Sequence, residues 1–163
     1  MNWKKEFLWP FSGLKIGFHH LELPLAKEFF EELKHFEVLF GEGAADATLE
    51  KKETMLLLQL SIRSKVLVAC DRCNEELTIP VEGNMELVYK FGNEESHDES
   101  LIVLPQDTYQ IDLFQPIYEL MVISFPSRFV HNEEECNPEI IKLLNQGEAD
   151  DHDPRWDILK ENH

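Results

Sequence analysis

Thr54-Met-Leu-Leu-Leu-Gln-Leu-Ser-Ile-Arg-Ser-Lys-Val-Leu-Val-Ala-Cys70 decides the fold. Leu56, Leu58, Leu60 and Ile62 recur at every second position, and Val66 and Val68 continue the phase. A period of two puts all six on one face of a β-strand. Beyond a short break the alternation resumes. Leu77, Ile79, Val81, Met85, Leu87, Tyr89 and Phe91 face one way, and Thr78, Glu82, Asn84, Glu86 and Lys90 the other. Gly83 falls inside this second run and is expected to mark a bulge or bend. Between the runs lies Cys70-Asp71-Arg72-Cys73, so the cysteine pair occupies the turn joining two long antiparallel strands.

Upstream, Leu14, Ile16 and Phe18 alternate with Lys15, Gly17 and His19 and predict a short strand. Leu25 to Leu33, behind Pro24, sets Phe29, Phe30 and Leu33 against Glu28, Glu31 and Glu32, the pattern of an amphipathic helix. Ala47 to Lys51 reads as a strand. Downstream, Gly92 to Ser100 is polar and acidic and predicts a mobile loop. Leu101 to Leu104 is a short apolar run, and Tyr109, Ile111 and Leu113 alternate. A helix follows near 115–124, with Pro116 in its first turn and Ile117, Leu120, Met121 and Ser124 along one face. Phe125-Pro126 closes it.

Arg128 to Cys136 reads as loop and Pro138 to Leu144 as a short helix. Gln146 to His152 is expected to be a mobile acidic linker. Asp153 to Lys160 predicts a terminal helix with Asp153 as N-cap and Pro154 as its first residue. The expected fold is α+β: a mainly antiparallel, curved β-sheet with two or three packed helices. Residues 1–145 are expected to form one domain, and 146–163 the linker and a short Trp-containing helix.

Composition restricts the function classes. The chain has 163 residues, 43% of them hydrophobic, enough for a globular core. No run approaches the ~20 apolar residues that span a bilayer, and the N-terminus lacks a signal-peptide pattern. With only three cysteines, a cytoplasmic protein with reduced thiols is expected. Asp and Glu number 32 against 15 Lys and Arg, a formal net charge of −17. Such a surface repels phosphate backbones, so ribosomal RNA is expected to be contacted weakly or indirectly. A basic protein partner is favoured instead. The sequence has no Gly-rich phosphate loop, GxSxG or HExxH, and no small-molecule substrate is expected.

Chemistry concentrates on Cys70, Cys73, His131 and Cys136. Two thiolates at CxxC spacing converge on one point, and Cys3His is a ligand set zinc accepts. Free thiols in a knuckle without metal are an equal reading. A thiol–disulfide oxidoreductase is the rival class, although no helix follows Cys73 to lower its thiol pKa. A zinc-dependent protein-interaction module is a third reading. Arg72 reads as a surface contact or salt-bridge residue. Arg155, Trp156, Ile158 and Leu159 form a short amphipathic segment that docks either on its own domain or on a partner, and partner docking is the preferred reading. His19 and His20 read as strand-end surface residues, and Asp150, Asp151, His152 and Asp153 as a solvated charge run.

Several words of the sequence, in order, resemble the YceD-like family of large-subunit ribosomal RNA accumulation proteins, in the form seen in Bacteroidetes. They are Pro10-Phe-Ser-Gly-Leu-Lys-Ile-Gly17, Leu49-Glu-Lys-Lys52, Cys70-Asp-Arg-Cys73, Pro80-Val-Glu-Gly83, Ile117-Tyr-Glu-Leu120, Pro126 to His131, and Asp153 to Lys160. The resemblance implies a non-enzymatic protein that supports ribosome biogenesis and large-subunit ribosomal RNA accumulation; joined to the acidic charge, it makes a basic large-subunit ribosomal protein the expected partner, with the chain as its acidic adaptor or chaperone. Many members carry further cysteines after the Pro…His segment. This sequence keeps only His131 and Cys136 there.

Overall fold

The computed structural model describes residues 3–33, 36–92, 101–132 and 134–148. Its strands are β1 (Leu8–Pro10), β2 (Gly17–Leu25), β3 (Phe40–Lys51), β4 (Met55–Ala69), β5 (Glu76–Phe91), β6 (Leu101–Leu104) and β7 (Gln110–Asp112). Its helices are α1 (Lys27–Glu31), α2 (Phe114–Ser124) and α3 (Pro138–Glu148), with a 3-10 turn at Trp3–Phe7. The chain gathers into two compact units. One comprises Met1–Val68 with Thr78–Ser127, the other Ala69–Leu77 with Arg128–His163.

The first unit is α+β, built on a curved, open sheet in the order β2-β3-β4-β5-β6. β2 and β4 each pair antiparallel with β3, and β6 pairs parallel with β5. The alternation of β4 becomes a buried row: Leu56, Leu58, Leu60, Ile62, Val66 and Val68 are all shielded from solvent. At about 1.5–3 kcal/mol per fully buried aliphatic side chain, this row contributes on the order of 10–20 kcal/mol before chain entropy is counted. Ser64 shares the row, and its hydroxyl donates to the Val81 carbonyl at 3.2 Å, which satisfies it. β1 and β7 form a separate antiparallel pair.

Helix α2 follows the sequence reading closely. Pro116, Ile117, Leu120 and Met121 are buried, and Phe125 ends the helix in an extended conformation. Gly83 does not produce the expected bulge. Burial alternates through it in phase with Val81 and Leu87. A Cβ at this position would overlap the Ser124 hydroxyl and touch Leu120. The glycine lets α2 lie close against β5.

Other expectations shift. The strand expected around Leu14 to Phe18 is β2, which starts at Gly17 and runs to Leu25, while Leu14 and Ile16 lie outside it. Pro24 and Leu25 are therefore strand, and α1 is only five residues long, burying Phe29 and Phe30. β3 begins seven residues before Ala47, at Phe40. Its inner positions there are small because the Phe30 ring occupies the space a Cβ on Gly41 would need. Lys51 Nζ donates to the Phe11, Ser12 and Leu14 carbonyls at 3.0, 3.2 and 2.8 Å, which fixes the turn before β2.

In the second unit, α3 continues through Gln146, Gly147 and Glu148, which were expected to open the linker. The acidic loop at 93–100 and the tail at 149–163, including Arg155, Trp156, Ile158 and Leu159, lie outside the described residues. No helix among the described residues is long and apolar enough to cross a membrane.

Candidate metal centre

The turn from Cys70 to Glu75 is held by its own backbone. The Cys70 N–H donates to the Glu75 carbonyl at 2.8 Å, and the Asn74 N–H to the Cys70 carbonyl at 2.8 Å. Asn74 takes a left-handed conformation, φ 60°, which short polar side chains tolerate. This geometry turns both cysteine side chains to the same side, and both are buried. After Cys73 the chain enters a strand, so neither thiol sits at a helix N-terminus.

The segment from Arg128 onward is tied to this turn. Asp71 makes a two-way hook: its N–H donates to the Phe129 carbonyl at 2.7 Å, and its carboxylate accepts the Phe129 N–H at 2.7 Å. Asn137 Nδ2 donates to Glu75 at 2.8 Å, while its Oδ1 accepts the Glu139 N–H at 3.0 Å and caps α3 ahead of Pro138. Neither Asp71 nor Asn137 stood out as a site residue in the sequence. The Asn-Pro-Glu signature of a helix start was the signal available for Asn137. For Asp71 there was none.

These ties bring Cys70, Cys73, His131 and Cys136 together, with their ligand atoms within 4.8 Å of one another. Cys70 Sγ lies 4.0 Å from Cys136 Sγ, and Cys73 Sγ lies 3.4 Å from His131 Nδ1. A tetrahedral ion bonded to sulfur at about 2.3 Å and nitrogen at about 2.0 Å separates its ligands by about 3.5–3.8 Å. The cluster is therefore close to the geometry such an ion requires. Leu77, Val130, Ile140 and Ile141 pack around the three cysteines and shield them.

The surroundings favour charged sulfur at Cys70 and Cys73. Burial alone would raise the Cys70 pKa, but the backbone N–H groups of Cys73, His131 and Arg72, with the Cys73 thiol, lower it to about 6. Cys73 is lowered from its ordinary value by the backbone N–H groups of Asn137 and Glu75. Burial, followed by the neighbouring sulfurs, raises Cys136 instead. Arg72 Nη1 donates to Cys136 Sγ at 3.8 Å, which places a fixed positive charge beside this third sulfur. His131 is raised chiefly by its hydrogen bond to Cys70. Its Nε2 lies 3.1 Å from the Glu76 carbonyl. With the proton on Nε2, the Nδ1 lone pair faces the sulfurs, the orientation a carbonyl on the other ring nitrogen imposes on metal-binding histidines. Three sulfurs and one nitrogen with these partners can hold a metal ion.

No curated protein and no solved structure matches this chain. A family model does, over residues 58–161, more than half of the chain. The match covers all four residues of the cluster but not the resembling stretches at Pro10–Gly17 and Leu49–Lys52. The chain belongs to the family described as Large ribosomal RNA subunit accumulation protein YceD.

Proposed function

We propose that this protein is a non-catalytic, cytoplasmic assembly factor that supports large-subunit ribosomal RNA accumulation by holding a basic ribosomal protein on its acidic surface. The observation that carries this reading is a net charge of −17 on a member of a ribosomal RNA accumulation family. An acidic surface attracts a cationic chain and disfavours a phosphate backbone. RNA is then affected through the protein that binds it. Affinity purification from the native cell, with identification of bound protein and RNA, tests the reading. Recovery of large-subunit RNA without any basic ribosomal protein would refute it.

The four-residue cluster is a structural zinc site in this account. Cys70, Cys73 and Cys136 supply sulfur and His131 supplies Nδ1. Zinc would contribute a redox-inert crosslink between the Cys70–Cys73 turn and the segment carrying His131 and Cys136. The depressed pKa of Cys70 also suits a redox nucleophile, as the oxidoreductase reading requires. Thiol pKa alone does not separate the two, because a metal-bound thiol must also be deprotonated. Metal content does. A closed four-ligand site holds one zinc ion per chain when purified without chelator, and less than about a tenth of that would sink the zinc assignment.

A further inference from the structure

The outward face of the sheet carries an apolar patch that the first unit leaves uncovered among the described residues. The inward rows of β3 and β4 fix which side faces the core. Pairing then places Phe18, Glu50 and Leu57 side by side on the opposite face. Phe18 is 74% exposed. Together with Leu57 and Val88 it lines a depression of about 140 Å³, which Glu50 and Glu86 also line. Glu86 accepts from Gln59 at 3.1 Å and Glu50 lies 3.4 Å from Lys52 Nζ, so each carboxylate has acceptor capacity left. An aromatic ring this exposed, beside other apolar side chains and acidic groups, is the composition of a docking surface.

We propose that this face seats the basic partner, in the form of a cationic segment with one apolar side chain. That side chain lies among Phe18, Leu57 and Val88, and lysine or arginine ends reach Glu50 and Glu86. The proposal rests on the adaptor reading above and names its surface. Charge argues for this occupant. Outward positions of β2 to β5 carry Glu22, Glu42, Asp46, Glu50, Glu82 and Glu86 against Arg63, Lys65 and Lys90. Arg63 is already held by Asp46 at 2.9 Å. A second copy would bring like charge against like, and a nucleic acid would bring phosphates against carboxylates. A cationic side chain meets neither penalty and can lay its aliphatic stem on the apolar wall.

The test uses the full chain, isotope-labelled for amide NMR, and a lysine-rich peptide carrying one phenylalanine. A control peptide has glycine in place of the phenylalanine. Peptide-induced shifts are expected at Phe18, Leu57 and Val88. Phe18→Ser, exposed enough not to disturb folding, is expected to weaken the phenylalanine peptide about tenfold and to leave the control peptide unchanged. Glu86→Gln is expected to weaken both peptides. Shifts confined to 69–77 and 128–148, with full affinity in Phe18→Ser, overturn the sheet-face proposal and leave the adaptor reading standing. Absence of binding to the peptides and to every large-subunit ribosomal protein tested removes both. Self-association abolished by Phe18→Ser would assign the face to a second copy and also overturn the proposal.

Discussion

Replacing Cys136 by serine removes one of four converging donors at almost constant side-chain volume. Cys136 is buried and lies 4.0 Å from Cys70 Sγ, so the lost atom belongs to the centre of the cluster. Structural zinc sites bind with roughly 10–16 kcal/mol of apparent free energy near neutral pH. Shared over four ligands, one ligand is worth roughly 3–4 kcal/mol, or two to three orders of magnitude in zinc affinity. The serine hydroxyl recovers little of this, because it stays neutral where the thiol ionises. Arg72 also loses its sulfur partner. Competition with a chromogenic chelator measures the affinity, and hydrogen exchange measures the consequence. Amides of α3 are expected to lose protection in Cys136→Ser, while those of β4 keep theirs between Met55 and Val68. Unchanged zinc affinity in the variant would refute the four-ligand site.

Further perturbations follow from the same contacts. In metal-free protein the Cys70 thiol is lowered from 9.0 to about 6, so its stabilising contribution is fully present above pH 9. That contribution declines as pH falls and is lost through about 6; thiolate ultraviolet absorbance should show one group ionising near that value, and a first ionisation near 9 would contradict it. Gly83→Ala is expected to destabilise the fold by about 1–3 kcal/mol by overpacking against Ser124, and Ser124→Ala should recover part of the loss. Denaturant midpoints of the single and double variants decide the point, and equal midpoints for Gly83→Ala and wild type would contradict it. Lys51→Met leaves three carbonyls without their shared donor and should cost about 1–3 kcal/mol, with faster amide exchange at Leu14. An unchanged exchange rate there would argue that water replaces the ammonium group without loss.

The legible parts of this structure are those with strong periodicity. β4, β5 and α2 could be read because large apolar residues repeat at a period of two or along one helical face. The start of β3 could not, since Gly41 and Gly43 occupy inner positions and give no hydrophobic signal. Phe30 fills the space above Gly41, and only the tertiary structure reveals that. Gly83 carries a second signal of the same kind: its missing side chain makes room for Ser124 and Leu120 of α2, which the sequence alone does not show. β6 lacked any readable partner because it pairs in parallel with β5, and such pairing leaves no turn signal. The cysteine pair fixed half of the candidate centre. His131 and Cys136 followed from composition, but the Asp71 hook, the Glu76 carbonyl and the Arg72 contact depend on through-space geometry.

The adaptor reading is tested most directly by titrating the purified protein with candidate basic large-subunit ribosomal proteins and, separately, with large-subunit ribosomal RNA at two salt concentrations. A basic protein is expected to bind more tightly than the RNA. Its affinity should fall as salt rises, because the range of charge attraction is only ~8 Å at physiological ionic strength and shortens further above it. Tight, sequence-selective binding of RNA, with no protein partner at either salt concentration, would contradict the account.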